Sequence, residues 1–310
     1  MTPYHLRLPL LYGVIALALV LAGVGQLRAH VRSAQLVVRS AHTAVRFSFP
    51  AGTRQLFPDY RLVALYGKPG TPVLGALGQQ PLDASLRRAK ALAGAYQPYM
   101  KEHAYPAVEI ITTIASASPG SNGSYSVPIN MATLRQWVTA ARQQRVYVVL
   151  DLQPGREDFL TQARRYADVL AEPNVGLALD PEWRLKPREL PLEQIGSASI
   201  REVNLTAAWL AALTARDQLP QKLFLLHEFR ESMLPGRDRL DTNHPELAYV
   251  IQMDGQGSQA QKLDTWKAII ASPPAHVQFG WKNFYQKDTS LRSPKATMQL
   301  TPRPWYVSYQ

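Results

Sequence analysis

The chain has 310 residues, 46% hydrophobic and 18% charged, which is a folded chain of one large domain or two small ones and not a disordered one. It contains no cysteine, which excludes a disulfide scaffold, a thiol nucleophile, cysteine zinc sites and a lipid-modified cysteine anchor. The formal net charge is +11, but no stretch gathers it into a basic block with interleaved aromatics. Nucleic acid is therefore not an expected partner, and the charge reads as solubility and affinity for anionic surfaces such as lipid or cell wall.

Residues 1–30 read as a signal anchor or signal peptide. Leu8 to Val24 carries no charge and is flanked by Arg7 and Arg28. Its length lies between a signal-peptide core of ~7–15 residues and a membrane span of ~20. Gly25 to Arg32 (GQLRAHVR) offers no small-x-small cleavage site, so an uncleaved anchor is slightly favoured. Positive charge on both sides leaves the orientation open; a buried N-terminal helix is the alternative. Either export reading places the remainder outside the cytoplasm. Residues 31–58 read as a connecting arm with strand-like alternation at Val45–Phe49, and residues 59–310 as the main domain.

Within that domain, strand-like runs recur at Arg61–Tyr66, Ala107–Ala115, Val146–Leu152, Val175–Asp180, Lys222–His227, Leu247–Asp254, His276–Trp281 and Trp305–Tyr309. Between them lie segments of helical period, clearest at Ala84–Glu102, Met131–Gln144, Glu157–Ala171, Ser199–Asp217 and Ser258–Ala271, and weaker near Arg230–Leu240 and Thr289–Leu300. Short apolar strands alternating with helices predict parallel pairing under a helical coat. Eight strands over this length predict an α/β fold, a (β/α)8 barrel of the TIM type. It lacks a C-terminal eighth helix, a gap that the arm or the N-terminal segment is placed to cover. The runner-up is an open doubly wound sheet, for which Gly255-Gln-Gly257-Ser-Gln-Ala260 is a lone dinucleotide-type match without the following acidic residue.

Barrel chemistry sits at the C-terminal ends of the strands. Here those ends read Tyr66, Asp151-Leu-Gln153, Asp180-Pro-Glu182-Trp183, His227-Glu228, Gln252-Met-Asp254 and Trp281-Lys282-Asn283. The two-residue period of a strand puts Asp180 with Glu182, and Asp151 with Gln153, on shared faces. The candidate catalytic residues are therefore Glu182, Asp180, Asp151 and Asp254. The candidate binding residues are Trp183, His227, Glu228, Gln153, Trp281, Lys282 and Tyr66. Each has a plainer reading: a strand-terminal Asp as a turn former or helix cap, His227 as a hydrogen-bonded core residue, Lys282 as an ion-pair partner. Glu109, in mid-strand, reads as a rim or helix-facing ion pair. The Gly/Ser-rich stretch Ala117–Asn130 reads as a binding-face loop or a flexible surface tract.

A G-x-S-x-G elbow, a P-loop and a multi-histidine metal cluster are all missing from the sequence. No cofactor is expected.

At Asp180-Pro-Glu182-Trp183 the chain resembles carbohydrate-active barrels such as the family 18 chitinases, whose strand four ends in D-x-x-D-x-D-x-E. Asp180 and Glu182 match the final D-x-E. The two earlier aspartates fall on Val175 and Ala178, and the family's Met-x-Tyr-Asp is reduced to Met253-Asp254. The resemblance implies a generic functional role for the pair and nothing more specific. Over residues 60–310 the chain also resembles a group of exported bacterial barrel proteins with no assigned activity, through LALDPEW, LPQKLFLLHEF and RPWYVSYQ among other phrases.

Three functions are expected, in this order. The first is an exported glycosidase-like hydrolase acting on envelope or extracellular glycans, with Glu182 as general acid and Asp151 or Asp254 as nucleophile or base. The second is a glycan- or wall-binding barrel without catalysis. The third is a Mg²⁺- or Ca²⁺-dependent hydrolase holding its ion with Asp151, Asp180, Glu182 and Asp254. Glycan and membrane are the expected partners, and the oligomeric state is left open.

Overall fold

The apolar runs form strands where the sequence puts them, and each is buried on both faces, as parallel strands between a barrel interior and a helical coat must be. The computed structural model describes residue 49 and residues 52–310. The Leu8–Val24 segment and most of the arm lie outside the described residues. Among the described residues no helix is long and apolar enough to cross a membrane.

The strands are β1 (Tyr60–Gly67), β2 (His103–Ala115), β3 (Ser126–Pro128), β4 (Tyr147–Leu152), β5 (Val175–Leu179), β6 (Lys222–Glu228), β7 (Leu247–Met253), β8 (Gln278–Asn283) and β9 (Tyr306–Tyr309). Apart from β3 they pair in parallel around a ring, β1-β2-β4-β5-β6-β7-β8-β9 and back to β1. The seam is a regular ladder from Leu62↔Tyr306 to Leu65↔Tyr309. A closed ring of eight parallel strands is a (β/α)8 barrel, and its closure rules out the open doubly wound sheet. The short β3 falls in the Gly/Ser-rich stretch and runs antiparallel to the end of β2, Ala115 opposite Ser126.

The coat comprises α1 (Leu82–Tyr96), α2 (Met131–Gln143), α3 (Phe159–Arg165), α4 (Ala167–Leu170), α5 (Ile200–Arg216), α6 (Gln259–Ile270) and α7 (Pro294–Thr297). Local chemistry sets their starts. Asn130, Asp158, Ser199 and Ser258 each accept a backbone N–H of the first turn, and Ser258 with Gln261 forms a reciprocal capping box. α5 buries Ile200, Val203, Ala207, Leu210 and Ala211, a stripe at helical spacing. The two weaker helical segments are mostly turns. Near 230–240 the chain makes single 3-10 turns, interrupted by Pro235 and by Gly236 at φ 76°, and near 289–300 only the four residues of α7 are helical.

Side chains alternate along each strand between the helical coat and the interior. Leu177, Phe224, Ile251 and Trp281 belong to the coat-facing core. Gly176, Gln252 and Lys282, next to Leu177, Ile251 and Trp281, fall on the interior face, as does His227, next to Leu226 of the same core. Gly176 is small for a reason: a Cβ there would stand 2.9 Å from the Tyr147 hydroxyl and 2.8 Å from the Leu223 carbonyl. That hydroxyl accepts the Leu223 N–H at 3.0 Å. Gly176→Ala should therefore cost about 1–3 kcal/mol by overpacking, read as a lowered denaturation midpoint; an unchanged midpoint would show that the interior yields there.

Below the barrel, residues 54–57 run along the α5–β6 turn. Arg54 donates to the carbonyls of Gln218 and Leu219, and the Leu56 and Phe57 amides donate to Gln221 Oε1 at 3.0 and 3.1 Å. The end of the arm is thus tied under β6. At the same end Lys222 is fully buried and donates to the carbonyls of Glu172 and Val175, both at 2.8 Å. Burial pulls its ammonium down to about 7, from an ordinary 10.5. Between those values the unfolded chain binds the additional proton, so stability from this group rises with pH from 7 towards 10.5, and on acidification it is lost across the same window and changes no further below 7. Comparison of the chain with Lys222→Met should show that component of the rise only in the parent.

Candidate active site

The C-terminal ends of the strands form one mouth. It opens on a cleft of about 390 Å³ whose lining includes Tyr66, Gln153, Asp180, Glu182, Trp183, Asp254 and Lys282, with Phe229, Phe284, Ile195 and Lys287 around it. Seven of the eleven residues singled out from the sequence thus meet in a single depression. They come from β1, β8 and the segments following β4, β5 and β7, which only a closed barrel brings together.

The turn after β5 carries the acid pair. Pro181 opens a short 3-10 turn, Pro181–Trp183, immediately after Asp180. The Asp180 amide donates to the Leu152 carbonyl of β4 at 3.1 Å, and the Glu182 carbonyl accepts the Gly196 amide at 2.7 Å. Arg184, next along, donates to Glu202 at 2.9 Å, anchoring the turn to the first turn of α5. Asp180 is nearly sealed, at 2% exposure, while Glu182 is only half-buried.

The two acids face different neighbours. The Asp180 carboxyl is raised well above the ordinary carboxylate range, first by burial and then by Asp151. The Glu182 carboxyl is raised by burial and then by Asp254. Asp254 behaves in the opposite way. Burial pushes it up, but Lys282, with its ammonium 3.0 Å from Oδ1, and His227 hold it below the ordinary value. Burial pulls Lys282 down in turn, and Asp254 and the surrounding acids more than restore it. The ammonium also lies 3.8 Å from the centre of the Tyr66 ring.

Beneath this floor is a second, fully enclosed layer. His227 Nε2 lies 2.8 Å from Glu109 Oε1 and 3.9 Å from Asp151 Oδ1, and His227 Nδ1 lies 3.0 Å from Asp254 Oδ2. Tyr66 donates to Asp151 Oδ2 at 2.8 Å and Tyr306 to Glu109 Oε2 at 2.9 Å. Burial lifts Asp151 to about 6, with His227 opposing the rise and Glu109 adding to it. Burial disfavours the charged imidazole of His227, but Glu109 and Asp254 outweigh it and raise its basicity well above normal.

Several expectations need correcting. Glu228, one residue after His227, points to the coat, where it accepts from Arg237 at 2.7 Å, and burial lifts it to about 7. Trp281, one residue before Lys282, packs on Trp266 of α6 with ring centres 5.9 Å apart and donates to Asn283. Neither faces the cleft, because strand alternation assigns neighbours to opposite faces. His227 and Asp151 stand in the layer below the floor, where ligand meets them only through Tyr66, Asp180 and Asp254. Glu109 is not at a rim; it lies in the barrel interior, bonded to His227 and Tyr306. The same alternation that gives Ala107, Glu109 and Ile111 one face was the available signal for it.

The four acids Asp151, Asp180, Glu182 and Asp254 do not form one oxygen cage for Mg²⁺ or Ca²⁺. Asp254 is engaged by Lys282, while Asp151 turns towards Glu109 and His227. The atoms that do converge are one oxygen each from Glu109 and Asp151 and one nitrogen of His227, all within 4.8 Å of one another.

The fold and mouth together define a TIM-type barrel with an acidic, partly aromatic cleft over a buried carboxylate–imidazole layer. No protein-family model matches the chain, and no curated protein matches it.

Proposed function

We infer that the protein hydrolyses glycosidic bonds of extracytoplasmic glycans, with Glu182 as general acid and Asp254 as the ionised carboxylate acting as base or nucleophile. One observation carries this reading: Glu182 and Asp254 line the same cleft, and their surroundings drive their protonation apart. Two carboxyl groups with opposed protonation are what acid–base cleavage of an acetal requires. Trp183, Phe229 and Phe284 supply apolar faces on which a sugar ring can stack, and Gln153 and Lys282 supply polar contacts for its hydroxyls.

In this reading Glu182 protonates the leaving-group oxygen while Asp254 activates water or attacks the anomeric carbon. Lys282 keeps Asp254 charged. The main chain of Asp180, bonded to Leu152 and Trp183, holds the turn that carries Glu182. The test is turnover of wall and capsule glycans, followed by the appearance of new reducing ends. Release of reducing ends by the parent chain supports the reading. Binding to such glycans without any release would favour the non-catalytic barrel, for which the aromatic walls alone suffice.

A further inference from the structure

The enclosed layer beneath the cleft has a property that the acid–base reading does not use. Three side chains from three strands, Glu109 of β2, Asp151 of β4 and His227 of β6, each turn one donor atom towards a common point. The separations are 2.8 Å from His227 Nε2 to Glu109 Oε1 and 3.9 Å from His227 Nε2 to Asp151 Oδ1, and all three atoms lie within 4.8 Å of one another. Ligands held about 2.0–2.2 Å from one ion stand about 3–4 Å apart. All three side chains are fully buried.

The far oxygens of both carboxylates are held as well. Asp151 Oδ2 accepts the Tyr66 hydroxyl at 2.8 Å and Glu109 Oε2 accepts the Tyr306 hydroxyl at 2.9 Å, while His227 Nδ1 lies 3.0 Å from Asp254 Oδ2. Outer partners on the ligating carboxylates, and a carboxylate behind the imidazole, are how metal ligands are oriented. The inner atom Asp151 Oδ1 is buried and has no hydrogen-bond partner. A buried carboxylate oxygen left bare costs free energy unless something accepts its charge. Lys282 does not take that place. Its ammonium is engaged with both oxygens of Asp254 and stacked over the Tyr66 ring.

We propose that Glu109, Asp151 and His227 form a binding site for one divalent first-row transition ion, such as Mn²⁺ or Zn²⁺, directly beneath the cleft floor. One imidazole nitrogen with two carboxylate oxygens suits such ions better than Ca²⁺ or Mg²⁺, which favour all-oxygen sets. The ion takes the position of the proton that His227 Nε2 shares with Glu109. It also offsets the negative charge of the carboxylates buried around it, Glu109, Asp151 and Asp254. Tyr66 and Asp254 wall the cleft and are also the outer partners of Asp151 and His227, so the site lies one side chain below solvent. The proposal is independent of glycan hydrolysis, since it concerns binding alone.

The experiment is calorimetric titration of the purified, chelator-treated chain with MnCl₂ and with ZnCl₂, with CaCl₂ and MgCl₂ as comparisons. A visible spectrum of the Co²⁺-loaded chain reports the coordination. One ion per chain is expected, with binding abolished in Asp151→Asn and in Glu109→Gln. Glu182→Gln, which changes the cleft but no ligand, should bind as the parent does. If the ligand variants fail to fold, Tyr66→Phe decides, because it removes only the outer partner of Asp151. About 10–100-fold weaker binding is expected there. Absence of stoichiometric Mn²⁺ or Zn²⁺ binding, binding that survives both ligand variants, or unchanged affinity in Tyr66→Phe would each overturn the site. None of these readouts requires substrate, so failure here leaves the hydrolase reading untouched, and the reverse holds too.

Discussion

Replacement of Glu182 by glutamine should lower turnover of a glycan substrate by about 10²–10⁴ while leaving substrate affinity and stability close to those of the parent. The glutamine keeps the shape and the hydrogen-bonding capacity of the side chain but has no proton to transfer. Glu182 is half-buried on a turn held by Pro181 and by the Arg184–Glu202 pair, so its removal disturbs no core contact. Asp254→Asn should also abolish turnover. It will affect stability as well, because Asp254 is the partner of Lys282 and His227. The pH profile separates the two roles. An acid with a raised pKa is protonated below that pKa, so activity should fall as pH rises through the Glu182 value. A base with a lowered pKa is ionised above it, so activity should fall at the acid end only once Asp254 is protonated. Turnover retained in Glu182→Gln, with affinity reduced, would remove Glu182 from the acid role.

Lys282→Met should destabilise the fold by about 3–5 kcal/mol at neutral pH, because it takes the ammonium from a buried carboxylate and leaves only His227 beside it. Lys282 and Asp254 have only 3% and 6% of their side chains exposed, so water does not compensate. In the parent, Asp254 is held below its ordinary pKa. The pair's stabilisation is therefore present at neutral pH and is lost as pH falls through that lowered value. In the variant the same carboxyl is raised, and the fold recovers some stability once acid protonates it. The gap between parent and variant should therefore be widest at neutral pH and narrow on acidification. Urea denaturation at neutral and mildly acidic pH measures it. Addition of Asp254→Asn to Lys282→Met should return part of the loss, a coupling that a double-mutant cycle quantifies. A gap that stays constant with pH, or a cycle without coupling, would show that Lys282 acts by packing alone.

The barrel was legible because its strands are short, apolar on both faces and separated by segments of helical period. Runs such as Val146–Leu152 and Val175–Asp180 admit few other readings once eight of them alternate with helices. The acids of the mouth were legible because a polar residue that ends an apolar strand stands out. The inner layer was harder to see. Glu109 and Tyr306 sit within strands where no turn residue marks them, and only the inward parity of their strands points to a role. That parity also explains the errors at Glu228 and Trp281. A motif such as His227-Glu228 names two residues, and the pleat sends just one of them inside. The segments at 230–240 and 289–300 were read as helical from their period, but Pro235 and Gly236 interrupt the first, and in the second helix begins only at Pro294 and lasts one turn.

The seam between β1 and β9 has a consequence for how the chain acquires its shape. Leu62 pairs with Tyr306 and Leu65 with Tyr309, so the first and last strands of the barrel are mutual neighbours. Every other junction between adjacent strands spans a single connecting segment; this one spans the whole domain. Loop-closure entropy makes such a junction slow to form. Until β9 arrives, β1 and β8 present open edges with unsatisfied amides and carbonyls, the kind of surface that recruits other chains. During synthesis Glu109, whose partners lie on β6 and β9, must wait with them. The Glu109–Tyr306 contact of the interior is therefore completed only at the final step, and a polypeptide interrupted before Trp305 would be an aggregation hazard instead of a weakened barrel.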